Sequence, residues 1–160
     1  MRLEPALVAR LQFLCRVVEK ESTYLLQTDT RLFAEHSLTD TLQRLDIDPL
    51  LAERLDAFVS RFGRLQDTVT DKLLPALLQA MAEPRGAAIE NLDRAEKLGW
   101  LDSADQWLEM RKLRNQMVHE YIEDRAVLAD ALQAGHAFVP MLLLVASRLI
   151  EKTRQRLSLH

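Results

Sequence analysis

Asp102 to Ile122 reads DSADQWLEMRKLRNQMVHEYI, and its periodicity decides the fold class. On a wheel of about 100° per residue with Leu101 at zero, polar side chains fill roughly 20° to 140° and apolar or aromatic ones roughly 160° to 340°. The apolar side carries Trp107, Met110, Met117, Val118, Tyr121 and Ile122. An amphipathic helix is predicted, capped by Asp102 or Ser103. Arg114 breaks the pattern, falling near ~220° between Tyr121 and Trp107, with Arg111 near ~280° and Asn115 near ~320° on the same side. His119 sits at the edge, close to Asn115. A guanidinium buried without a partner is costly, so something anionic is expected beside it: an acidic side chain, a second subunit or a phosphate.

The same periodicity runs outward in both directions. Leu3 to Gln27 places Leu7, Leu11, Leu14, Val18 and Leu25 at helical spacing, and the polar Thr28–Arg31 is expected to break or bend that helix. A short helix is expected over Ser37 to Leu45. Asp48-Pro49 is a start signal, Asp as N-cap and Pro at the first helical position. The long helix that follows should kink or break at Pro75, and Glu83 to Gly86 should turn. A helix over about Ala87 to Leu98 should end at Gly99, a good C-cap. Glu123-Asp124 should open the last long helix, running to about Arg156 with a kink at Pro140. No strand-like alternation, repeat or low-complexity tract interrupts this pattern. The fold expected is one all-α domain over residues 1–160, an antiparallel bundle of four to six helices.

Composition agrees and narrows the function classes. The 160 residues are 48% hydrophobic with four glycines and five prolines, too few turn formers for an all-β fold. The net charge of -3 argues against a general nucleic-acid binder, so any such contact would need a local patch. Cys15 is the single cysteine, which excludes an intrachain disulfide and suits a reducing compartment. The longest apolar run, Ala137 to Ala146, is short for a bilayer. A soluble, cytoplasmic protein without membrane contact is expected. His36, His119, His136 and His160 show no metal-ligand spacing with Cys15 or with each other, and there is neither a Gly-rich phosphate loop nor a nucleophile elbow. Neither a metal nor a cofactor is expected. Cys15 and Trp100 read as core residues. Arg61 and Arg64 could line a path for RNA, though exposed arginines are normally solvated. Lys152, Arg154 and Arg156 suit the C-terminal dipole of the last helix.

Asn115 and His119 are four apart and share a face, so the amide could fix the imidazole's tautomer. Arg114 and His119 stand about 140° apart on one helix and would border a common cleft. The array Arg114, Asn115, His119 and Tyr121, R-N-x-x-x-H-x-Y, resembles the signature of HEPN domains. It is most similar to the R-x4-H-x-Y form of HEPN toxins paired with a minimal nucleotidyltransferase antitoxin. The motif covers under a tenth of the chain, the helical layout nearly all of it. The resemblance implies an up-and-down bundle that dimerises with its motifs facing each other, and metal-independent RNA cleavage. Arg114 and His119 would then be catalytic, Asn115 would support them, and Tyr121 would be the position the partner enzyme modifies with AMP. Arg111 is a further possible phosphate contact.

Chemistry makes such a dimer sensible. Metal-free RNA cleavage needs a base for the 2′-hydroxyl, an acid for the leaving 5′-oxygen and positive charge on the phosphorane. One histidine cannot readily do both proton transfers in one step, whereas a twofold axis supplies two. It would also explain Arg114, whose apolar face would be the dimer interface. Two other classes remain: a non-catalytic substrate- or nucleotide-binding subunit beside a nucleotidyltransferase, and a plain helical interaction protein in which Arg114 pairs with a carboxylate such as Asp67 or Asp71.

Overall fold

The structure, a computed structural model, describes residues 2–34, 38–120 and 123–159. Among the described residues every ordered element is helical: α1 (Pro5–Phe33), α2 (Leu38–Gln43), α3 (Pro49–Thr68), α4 (Leu74–Ala80), α5 (Ala88–Lys97), α6 (Ala104–Glu120) and α7 (Arg125–Ser158). A π-helical turn, Val69–Leu73, joins α3 to α4, so the described residues form six rods.

Local signals explain most boundaries. Asp48 Oδ1 accepts the Leu51 N–H at 3.1 Å, with Pro49 in the first turn. Asp124 Oδ1 accepts from Ala126 and Val127 at 3.0 and 3.2 Å, opening α7. Of the two cap candidates for α6, Ser103 takes the role, accepting the Gln106 N–H at 3.1 Å. Asp102 pairs with Arg148 at 3.2 Å instead. Gly99 closes α5 with φ of +76°, and the Trp100 N–H reaches back to the Ala95 carbonyl at 2.9 Å.

One expectation is corrected. Thr28–Arg31 neither breaks nor bends α1 out of helical form, which continues to Phe33. Thr28 and Thr30 return their hydroxyls to the carbonyls of Tyr24 and Leu26, at 3.0 and 2.8 Å. Asp29 is answered across the bundle by His136, Nδ1 to Oδ1 2.7 Å. The regular helix does break at Pro75, as expected. The π turn precedes it, with the Leu74 N–H reaching the Val69 carbonyl, and the widened turn absorbs a ring that clashes with a regular ladder. Pro140 lies inside α7 without ending it.

Contacts between named residues fix the topology. Thr68 meets Glu21 and Arg61 meets Thr28, so α3 runs against α1. Trp107 meets Thr70 and Arg114 meets Asp67, so α6 runs against α3. Arg148 meets Asp102 and Gly135 faces Met117, so α7 runs against α6. His136 with Asp29 and Arg154 with Glu19 close the ring, α7 against α1. The result is an antiparallel up-and-down four-helix bundle, with α2 against the start of α7 and α5 beside α4 and α6. Its core holds Phe58, Phe62, Trp107 and a continuous set of leucines. Cys15 and Trp100 belong to it, as expected.

Counted over an 18-residue window rather than the ten-residue run, α7 is apolar and long enough to cross a bilayer, with mean hydropathy 1.5. A third of that window is buried within the bundle, and Leu128, Leu132, Val139, Leu142 and Leu149 are among the buried residues of α7.

Candidate functional site

The seam between α3 and α6 explains Arg114. Gly63, Asp67 and Asp71 recur at four-residue intervals and so share one face of α3 and its π turn. At Gly63 the missing side chain makes room for the arginine: a Cβ there would lie 2.8 Å from Arg114 Nε and 2.9 Å from its Cγ. The Arg114 stem crosses at that gap, and its Nη2 meets Asp67 Oδ2 at 3.3 Å. One turn earlier, Arg111 Nη2 stands 3.5 Å from Asp67 Oδ1 and 3.6 Å from Asp71 Oδ2. Asp67 thus serves two guanidiniums. A further turn back, the buried Trp107 indole N–H donates to Thr70 Oγ1 at 2.8 Å. The anionic partner expected for Arg114 is a side chain of this chain, though not a buried one, since Asp67 is 38% exposed and Arg114 37%.

This corrects the idea that the apolar face of α6 is a dimer interface. Trp107, Met110 and Met117 on that face are fully buried in this chain's own core. Near its C-terminal end, α6 leaves one edge of that side outward. Asn115, Val118 and His119, at i, i+3 and i+4, are all exposed, Val118 at 55%. Among the described residues neither Asn115 nor His119 has a side-chain hydrogen bond or ion pair. The structure therefore brings Arg111 and Arg114 together on Asp67, and Asn115 beside His119. It does not bring Arg114 and His119 into one cleft within a single chain. Tyr121, with Ile122, lies outside the described residues.

Other polar groups surround the seam or lie apart from it. Glu21 on α1 accepts from Thr68 Oγ1 at 3.0 Å, while its second oxygen is buried without a hydrogen-bond partner among the described residues. Burial raises its pKa above the usual carboxylate value, against the opposing pull of the Thr68 hydroxyl, Arg64 and Lys72. Burial likewise raises the Cys15 thiol, which keeps it protonated and unreactive. Arg61 is spent on the Tyr24 carbonyl, the Thr28 hydroxyl and the Tyr24 ring, and Arg64 bonds Ser60. Among the described residues no three His, Cys, Asp or Glu side chains gather as a metal site.

Two features carried no sequence signal. Asp29 and His136 pair across 107 positions, with His136 stacked on Phe33 at 4.1 Å between ring centroids. A surface groove of about 680 Å³ lies between α1 and α7, lined in part by Ser22, Leu143, Ser147 and Arg154. None of Arg111, Arg114, Asn115 or His119 borders it.

A scan against models of known protein families, a search of the curated proteins and a search of the solved structures each return no match for this chain.

Proposed function

We propose that the chain is a metal-independent endoribonuclease of the HEPN type that acts as a homodimer. The observation that carries the reading is the exposed face of Asn115, Val118 and His119 beside an arginine already oriented by Asp67. Two copies meeting on that face across a twofold axis would bury Val118 and bring two imidazoles and two arginines to one cleft. One His119 would take the proton of the 2′-hydroxyl while the other protonates the leaving 5′-oxygen. Arg114, with Arg111 beyond it, would stabilise the charge building on the phosphorane. A guanidinium has five donors, so its contact with Asp67 leaves others for phosphate. Asn115 would hold the imidazole in one tautomer. The reading includes a nucleotidyltransferase antitoxin that neutralises the toxin by placing AMP on Tyr121, where the added phosphate would compete for the arginine, and a cytoplasmic setting.

The Arg111–Asp67–Arg114 network favours a second reading, a helical interaction protein in which both arginines only tie α6 to α3. In a third, the same face holds a nucleotide without cleaving it, as a binding subunit beside a nucleotidyltransferase. The discriminating experiment incubates the purified chain with mixed RNA in EDTA, beside His119→Ala and Arg114→Ala. The nuclease reading predicts 2′,3′-cyclic phosphate ends that vanish in both variants. Folded, dimeric, AMP-free protein that leaves RNA intact would sink it.

A further inference from the structure

Away from the α3–α6 seam, the end of α1, the short α2 and the start of α3 converge on a pocket of about 120 Å³. Arg31 of α1, Arg44 of the turn after α2 and Arg54 of α3 line it together with Thr41 and Asp48. We infer that this pocket binds a phosphate group.

Charge balance is the first support. Three guanidiniums face one carboxylate, and that carboxylate is already engaged. Asp48 caps α3 through the Leu51 N–H at 3.1 Å and pairs with Arg44 at 3.6 Å. Among the described residues neither the Arg31 nor the Arg54 side chain has a hydrogen bond or an ion pair. Arg31 lies in the last turn of α1, where a cation suits the helix dipole, but that role uses none of its donors. Three like charges around a single carboxylate repel, and a bound oxyanion would relieve the repulsion.

Shape is the second support. Buried Leu32 and Leu51 wall the pocket, which reduces screening of any charge held there. Thr41 is only 1% exposed, yet its hydroxyl makes no hydrogen bond among the described residues, leaving a neutral donor beside the cations. At about 120 Å³ the space has room for a small oxyanion. Arginine forks match phosphate oxygens in pairs, and α3 adds the positive end of its dipole. The phosphate could belong to free inorganic phosphate or to an RNA backbone. The inference does not depend on the nuclease reading.

Calorimetry on the full chain tests it with two probes at fixed ionic strength: inorganic phosphate and a single-stranded oligoribonucleotide. Arg54→Gln and Arg31→Gln are compared with Arg10→Gln, an exposed charge elsewhere on α1, each variant checked for helicity. Phosphate binding should weaken at least about tenfold in each pocket variant and stay unchanged in Arg10→Gln. If the oligonucleotide loses affinity in the same variants, the site takes backbone phosphate. If only inorganic phosphate responds, the site takes a free anion. No phosphate binding by the unsubstituted chain, or an equal loss in Arg10→Gln, would overturn the inference.

Discussion

Gly63→Ala should behave differently with and without Arg114 in place. Alanine in a helix interior is favoured over glycine by about 0.8–1 kcal/mol. At this position the new Cβ would stand 2.8 Å from Arg114 Nε, 2.9 Å from Cγ and 3.3 Å from Cδ. The stem near Cγ cannot yield as a chain tip would, so Arg114 must leave its place along α3. It then gives up its packing and its 3.3 Å contact with Asp67, a partly exposed pair worth roughly 0.2–1 kcal/mol. In the unsubstituted background these effects offset, and stability should change by less than about 1 kcal/mol, or up to about 4 °C in melting temperature. In an Arg114→Ala background the obstacle is gone, and Gly63→Ala should stabilise by the full ~1 kcal/mol. Urea unfolding followed by tryptophan fluorescence supplies the cycle, because Trp100 and Trp107 are both buried. A coupling below about 0.3 kcal/mol, the ordinary error of additivity, would refute the reasoning.

Glu21→Gln should raise the melting temperature at pH 7. Burial lifts the folded pKa of Glu21 above the usual 4.5, so the native state holds its proton more tightly than the unfolded chain. The penalty is therefore absent below about pH 4.5 and grows as pH rises through the folded value. The gap between variant and parent should close on acidification, and a gap that widens would contradict this. Trp107→Phe removes the 2.8 Å bond to Thr70 and part of a fully buried ring, and should cost about 2–4 kcal/mol in urea unfolding. Cys15 is 4% exposed with its thiol held protonated, so a thiol reagent should label it only as fast as the protein opens, and fully in urea. Asp67→Asn should lower stability by no more than about 1 kcal/mol, given the exposure of its partners, yet on the nuclease reading it should slow RNA cleavage by releasing Arg114.

Boundaries written by local chemistry were legible from the residues alone. Asp48-Pro49, Gly99 and Asp124 each act within one turn of backbone, so spacing suffices to find them. Thr28–Arg31 stays helical partly for a reason that is not local: beside the hydroxyl-to-carbonyl bonds of Thr28 and Thr30 within the helix, Asp29 is answered by His136, 107 positions away. The wheel located Arg114 correctly in projection and called for an anion, and Asp67 was among the named partners. It could not show that Gly63 opens the gap, since that depends on how α3 and α6 align in three dimensions. For the same reason Arg111 and Arg114 share one carboxylate while His119 points elsewhere. Arg31, Arg44 and Arg54 come from three separate regions, and no spacing along the chain announces their convergence.

The central claim is a cleft assembled from two copies, so the most direct measurement is RNA cleavage per protomer, in EDTA, as a function of protein concentration. Sedimentation of the same samples supplies the dimer fraction. Activity per protomer should rise in proportion to that fraction and be absent from the monomer. Activity per protomer that stays constant down to monomer, or RNA left intact by a fully dimeric and unmodified protein, would contradict it.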